Sequence, residues 1–247
     1  MRANTRHDEG SSARDNGIRL RNVGVRLGGR AILRKVYLDA DPGDVIGLMG
    51  PNGSGKSTLL KMLAGLVVPS SGEGSVCGRP LGGGAAGRVG LMLEIPPFID
   101  HRTGEENLAL LEKVGGPSPI PPAELMRMVG LDPKDRTAVG AYSQGMRKRL
   151  GFAQALQTDP QVYLLDEPMN GLDPLGMIMM REKIAELSAT GRIVVVSSHL
   201  LDELERICTK VYLVNGGCAR QVEDRFLSDG LLEEVYVSEV GSGTSEG

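Results

Sequence analysis

Tryptophan is absent from this sequence, and aromatic residues make up only 3% of it. So few rings leave little material for stacking nucleobases. A net charge of −3, from 28 basic and 31 acidic residues, gives no electrostatic footprint for nucleic acid either. Nucleic acid is therefore not an expected partner. The three cysteines, Cys77, Cys208 and Cys218, form no CxxC or other metal-ligand spacing, and isolated thiols suit a reducing cytosol. No apolar run approaches the roughly 18 residues that a membrane-spanning helix needs. The charged stretch Met1–Asn16 also lacks the apolar centre of a secretory signal. If the protein serves a membrane, the membrane part is expected on another chain.

What is present is a balance for one larger domain with a sizeable core: 247 residues, 40% hydrophobic and 24% charged. The polar stretch 1–16 reads as a disordered leader, and the Gly-, Ser- and Glu-rich stretch 238–247 as a flexible tail, leaving 17–237 as the domain. Within it, short apolar strands alternate with helical stretches, the pattern of an α/β fold with a mainly parallel sheet. Val45–Met49 reads as a buried strand, followed by a Gly-rich turn and a helix from Lys56 to about Val67. Val162–Leu165 and Ile193–Val196 read as further core strands. From about Pro96, proline becomes frequent and helical periodicity takes over, as in Thr103–Val114 and Ala123–Val129. A helical subdomain inserted at about 96–157 is expected.

Gly50-Pro51-Asn52-Gly53-Ser54-Gly55-Lys56-Ser57-Thr58 fits GxxxxGK[ST] in full, between a predicted strand and a predicted helix. Glycines let consecutive N–H groups turn inward onto phosphate oxygens, and the following helix offers its positive end to the same anion. Lys56 then reaches the β- and γ-phosphates, while Ser57 offers a hydroxyl to Mg²⁺. The segment is an NTP site. Further on, Val162-Tyr163-Leu164-Leu165 ends in Asp166 and Glu167, placing two acids at a strand end. Asp166 can hold Mg²⁺ through water, and Glu167 can act as general base on an attacking water. Two solvated acids at a turn are the alternative, a weaker one beside a phosphate loop.

These segments resemble ABC ATPases. Leu164-Leu165-Asp166-Glu167-Pro168 and Asn170-Gly171-Leu172-Asp173-Pro174 are similar to the Walker B segment and D-loop of that family. Tyr142-Ser143-Gln144-Gly145-Met146 resembles its signature, and Ser197-Ser198-His199 its switch-histidine motif. The resemblance, in order and spacing, runs from about Ile18 to Val222. It implies a P-loop core with an N-terminal antiparallel β-layer, and two such domains packed head to tail around ATP. Ser143 and Gly145 would then touch the γ-phosphate held by the partner's loop, with Asp173 also close to nucleotide. Ser143 alone reads equally as a helix N-cap. His199 would contact the γ-phosphate and steady both water and Glu167.

Four positions depart from the family pattern. Gln144 and Met146 stand in the signature where Gly and Gln are usual, while Ser143 and Gly145 remain. Glu94 occupies the place of the usual Q-loop glutamine, which resembles bacitracin- and lantibiotic-type exporters. Glu94 would join Ser57 and Asp166 as an oxygen donor toward Mg²⁺, and a strand-end surface acid is its alternative reading. Leu27 stands where an aromatic usually packs on adenine, so weak base discrimination is expected. The resemblance implies an ATPase that uses ATP and Mg²⁺. It is expected to work as a homodimer at the cytoplasmic face of the membrane and to drive export through a separate transmembrane permease. An importer ATPase and a non-transport ABC ATPase are the alternatives. After Glu94, the stretch Pro96-Pro97-Phe98-Ile99 reads either as a docking surface for the permease or as part of the insertion's own core.

Overall fold

The computed structural model describes residues 16–82, 89–115 and 118–241. The predicted leader, apart from Asn16, and the end of the predicted tail (242–247) lie outside the described residues. Strands β1 (Ile18–Leu27), β2 (Arg30–Ala40), β4 (Ser71–Val76) and β5 (Arg79–Pro80) form an antiparallel sheet in the order β2-β1-β4-β5. The pairing of β1 with β2 slips between Leu20 and Val23, where Asn22 takes a φ of 55°. That irregularity returns Val23 and Val25 to the buried face after the exposed pair Arg21 and Asn22.

The second sheet has the order β10-β9-β3-β8-β7-β6, built from β3 (Val45–Met49), β6 (Val89–Met92), β7 (Val162–Asp166), β8 (Ile193–Ser197), β9 (Lys210–Asn215) and β10 (Cys218–Gln221). Every pair is parallel except β9 with β10. Strands β3, β7 and β8 are buried along their whole length, which explains their unbroken apolar character. Alternation divides their side chains between two cores. Ile46, Leu48, Leu164 and Val195 pack toward the antiparallel sheet and helix α1 (Lys56–Leu63). Val45, Met49, Leu165, Val194 and Val196 pack toward the helices on the other face. The fold is therefore the expected α/β one with an antiparallel layer.

Helix α1 ends at Leu63, four residues before the predicted Val67. Gly65 takes a left-handed φ of 75°, Leu66 N–H donates to the Lys61 carbonyl and Gly65 N–H to that of Met62. That pair of bonds closes a helix end that only the glycine's freedom permits. Between β6 and β7 lie α2 (Gly104–Gly115), α3 (Pro122–Met128) and α4 (Gln144–Leu156), within the stretch read as helical. A reciprocal cap starts α2: Thr103 N–H donates to Glu106, and Glu106 N–H to the Thr103 hydroxyl. Phe98 is half-buried and packs on the core of this side, so the core reading applies to it; the side chain left in solvent nearby is Ile95, 80% exposed. After β7 come α5 (Pro174–Ala189), α6 (Leu201–Ile207), α7 (Asp224–Ser228) and α8 (Leu232–Gly241). Helix α8 takes in the first residues of the predicted tail, 238–241, because buried Leu232 and Val235 anchor it to the core. Among the described residues, no helix is long and apolar enough to cross a membrane.

Helix α4 lies against the sheet at unusually short range. A Cβ on Gly90 of β6 would stand 2.2 Å from the Ala155 carbonyl oxygen, and one on Gly151 of α4 would stand 2.6 Å from Pro96. Gly90→Ala should therefore push α4 off the sheet at a cost of about 1–3 kcal/mol. Urea denaturation checks this, and an unchanged midpoint would contradict the close packing.

Candidate functional site

The loop Gly50–Thr58 joins the buried end of β3 to α1. Gly50 has a φ of 151°, and a Cβ there would stand 2.0 Å from the Val214 carbonyl oxygen of β9. Gly53 (φ 78°) and Gly55 (φ 114°) continue the left-handed turn that wraps the loop. Lys56 is 7% exposed, and its Nζ donates to the carbonyls of Gly50 at 2.7 Å and Pro51 at 3.2 Å. Burial lowers its pKa, and the negative charges of Glu167, Asp166 and Glu94 offset part of that shift. The Ser54 Oγ is buried and has no hydrogen-bond partner. Helix α1 has no side-chain cap and no acid in its first turn, so its positive end is open. Loop, lysine, hydroxyl and helix end all call for an anion.

Asp166 and Glu167, at the end of β7, are 3% and 8% exposed. Ser197, at the end of β8 and fully buried, binds both: its Oγ donates to Asp166 Oδ1 at 2.6 Å and accepts from Glu167 N–H at 3.0 Å. Glu167 adopts a left-handed φ of 50°, a conformation that costs about 1–2 kcal/mol for a residue with a Cβ. Its Oε2 lies 2.8 Å from His199 Nδ1. With an ionised carboxylate, Nδ1 carries the proton and donates it. Glu94, Asp166, Glu167, Asn170 and His199 line, with the whole loop Gly50–Thr58, one cavity of about 700 Å³.

Ser143, Gly145 and Asp173 are not in this cavity. With Gln144, Met146, Arg149 and Gly171 they line a separate open recess. There Ser143 Oγ accepts from Met146 N–H at 3.2 Å, the N-cap geometry that its position also suggested. Asp173 caps α5 through Gly176 N–H at 3.0 Å and takes the Arg149 guanidinium at 3.0 Å. Leu27 is 45% exposed and is not among the residues lining the cavity. Ile32 of β2 and Tyr236 of α8 do line it. Sequence reasoning missed both, because a cavity wall supplied by the far C-terminal helix leaves no local motif. Asn170 was legible only as part of the D-loop segment.

A strand–glycine loop–helix unit facing paired acids at the end of a parallel strand one place further along the sheet defines a P-loop nucleotide-binding domain. The sequence pattern described as "ABC transporter" matches residues 33–170. An uncharacterized ABC transporter ATP-binding protein of Nostoc sp. strain PCC 7120 is 43% identical over 84% of this chain and 62% of its own length. This chain thus spans less than two thirds of that relative. The Nod factor export ATP-binding protein I of Burkholderia orbicola is 34% identical, over 93% of this chain and 75% of that protein. The lantibiotic transport ATP-binding protein SrtF of Streptococcus pyogenes is 33% identical, over 90% and 97%. A solved structure of the ATP-binding subunit of an ABC transporter superposes with a TM-score of 0.78 at 28% identity, covering 90% of this chain and 98% of that one. The chain belongs to the ABC transporter family.

Removing the Ser197 hydroxyl strips Asp166 of a buried, charge-assisted hydrogen bond. Ser197→Ala should cost about 1–3 kcal/mol of folding stability even without nucleotide. Chemical denaturation of the free subunit is the check; stability equal to the parent's would mean that the bridge contributes nothing net.

Proposed function

We propose that this subunit hydrolyses ATP at the Gly50–Thr58 loop and drives export of a peptide or other drug-like cargo through a separate transmembrane permease at the inner membrane face. The observation that carries the reading is Glu167, held by His199 at 2.8 Å on the wall of the same cavity as the phosphate loop. Loop N–H groups, the open end of α1 and the Lys56 ammonium receive the phosphates, and the unpartnered Ser54 hydroxyl gains an acceptor. Glu167 takes a proton from the attacking water, and His199 fixes the carboxylate and faces the γ-phosphate. The Ser57 hydroxyl and the carboxylates of Asp166 and Glu94 are the hard oxygen donors that suit Mg²⁺, which neutralises phosphate charge when bound.

The domain spans 17–237, with its helical subdomain at about 96–157. Two copies pair head to tail, so that Ser143, Gly145 and Asp173 of one copy meet nucleotide on the other. An open recess with a helix N-terminus and few charges suits a transferring phosphoryl group. Export is supported by the printed names of two relatives, one for Nod factor export and one for lantibiotic transport. Adenine lies against Ile32 and Tyr236, since Leu27 is outside the cavity.

Glu167→Gln should bind ATP yet hydrolyse it at least about 10²-fold more slowly, trapping an ATP-bound dimer on a sizing column. Cells whose sole copy is Glu167→Gln should also lose resistance to the exported peptide. Normal turnover would remove Glu167 from the chemistry, and unchanged resistance would separate the ATPase from peptide export. For the base, Tyr236→Ala should weaken ATP binding by about 5- to 10-fold, whereas Leu27→Ala should change it less than about twofold. Titration with a fluorescent ATP analogue reads both, and the opposite ranking would return the base to Leu27.

A further inference from the structure

Lys148 has no part in the chemistry described so far, yet it is among the most buried charged side chains of the chain, 3% exposed. It lies on α4, five residues after the N-cap Ser143, and does not line the cavity. Its Nζ donates to the Glu167 carbonyl oxygen at 2.8 Å. The same carbonyl accepts from Asn170 N–H at 3.3 Å, while Glu167 N–H is taken by Ser197. The left-handed backbone of Glu167 is thus clamped on both sides, and Lys148 is the one cation in the clamp. Charge points the same way. Glu94, Asp166 and Glu167 put three carboxylates around a cavity whose wall contains one lysine, Lys56. Burial lowers the Lys148 pKa, and Glu94, Asp166 and Glu167 each offset part of that shift, so it senses the same three acids from behind the wall.

We infer that Lys148 is a positioning residue for hydrolysis, fixing the strained Glu167 backbone and balancing the carboxylates of the cavity from the signature helix. The inference rests on Glu167 being the general base. An ammonium on the carbonyl of the next peptide group holds the carboxylate's direction without touching substrate, and burial makes that hold strong. Because Ser143 caps α4, the lysine also ties the recess to the carboxylate of Glu167 through one helix.

A mutant cycle tests this. Lys148→Met, close in shape but without charge or donor, should lower kcat for ATP hydrolysis by about 10- to 100-fold, with KM for ATP within about threefold. Placed on Glu167→Gln, the same change should lower the residual rate by less than about twofold, because it acts through the missing carboxylate. Lys148→Gln, which keeps a donor but no charge, should recover part of the kcat and serves as the second variant if Lys148→Met does not fold. Equal losses in both backgrounds, or a kcat loss matched by lost ATP-binding stoichiometry, would reveal a merely structural lysine and overturn the inference. A fast Lys148→Met beside a slow Glu167→Gln would sink this inference alone. Normal turnover in Glu167→Gln would instead sink the base assignment and take this inference with it.

Discussion

Ser197 is paired in register with Leu48 of β3 on one side and with Asp166 of β7 on the other. That parallel pairing brings the carboxyl ends of three strands to one edge, and each end carries a different part of the site. From β3 emerges the phosphate loop, from β7 the acids, and from β8 the serine that joins them and the histidine two residues later. A parallel sheet buried on both faces cannot slip by one residue without exchanging its two hydrophobic cores, so the register is strongly specified. The site inherits its precision from that constraint. Gly50, pressed against the Val214 carbonyl, extends it to β9.

Charge is the second organising quantity. Three carboxylates around one cavity would repel one another and any phosphate brought among them. Lys56 answers from inside the loop, where its ammonium already rests on two carbonyls. Those carbonyl contacts are the kind that an anion would replace at little cost, since the lysine is already desolvated. Ser54 is the reverse case, a buried hydroxyl with no acceptor, and gains on binding. One group would give up partners and the other acquire one.

What was legible in the sequence was local. Gly50–Thr58 needed only its own spacing and a strand before it, and Asp166–Glu167 only an apolar run before them. The helices between β6 and β7 were visible because helical periodicity and prolines replaced β-branched runs. Misses came from tertiary contacts. Helix α1 stops at Leu63 because of a glycine whose left-handed φ no propensity sum reveals. For Phe98 the sequence left core and docking surface both open, and it packs on the core, since whether an aromatic after two prolines faces core or solvent depends on the helices above it. Tyr236 reached the cavity beside the Gly50–Thr58 loop through the docking of α8, whose anchors Leu232 and Val235 are ordinary apolar residues in a stretch that read as near the frayed end. A separate case is that of Ser143, Gly145 and Asp173, read as contacts to nucleotide held by a second copy, which line their own recess within one chain.

That separation has a mechanical consequence. Helix α4 touches the sheet through Gly90 at its far end, holds Glu167 through Lys148 in its middle, and carries Ser143 at its start. Arg149 adds a tie to Asp173, the cap of α5, although half-exposed pairs of that kind contribute only about 0–1 kcal/mol. The buried lysine bond is worth more, about 1.5–3 kcal/mol for a charged donor, and its loss leaves an uncompensated ammonium. A load applied at the recess is therefore resisted least at Asp173 and most at Glu167.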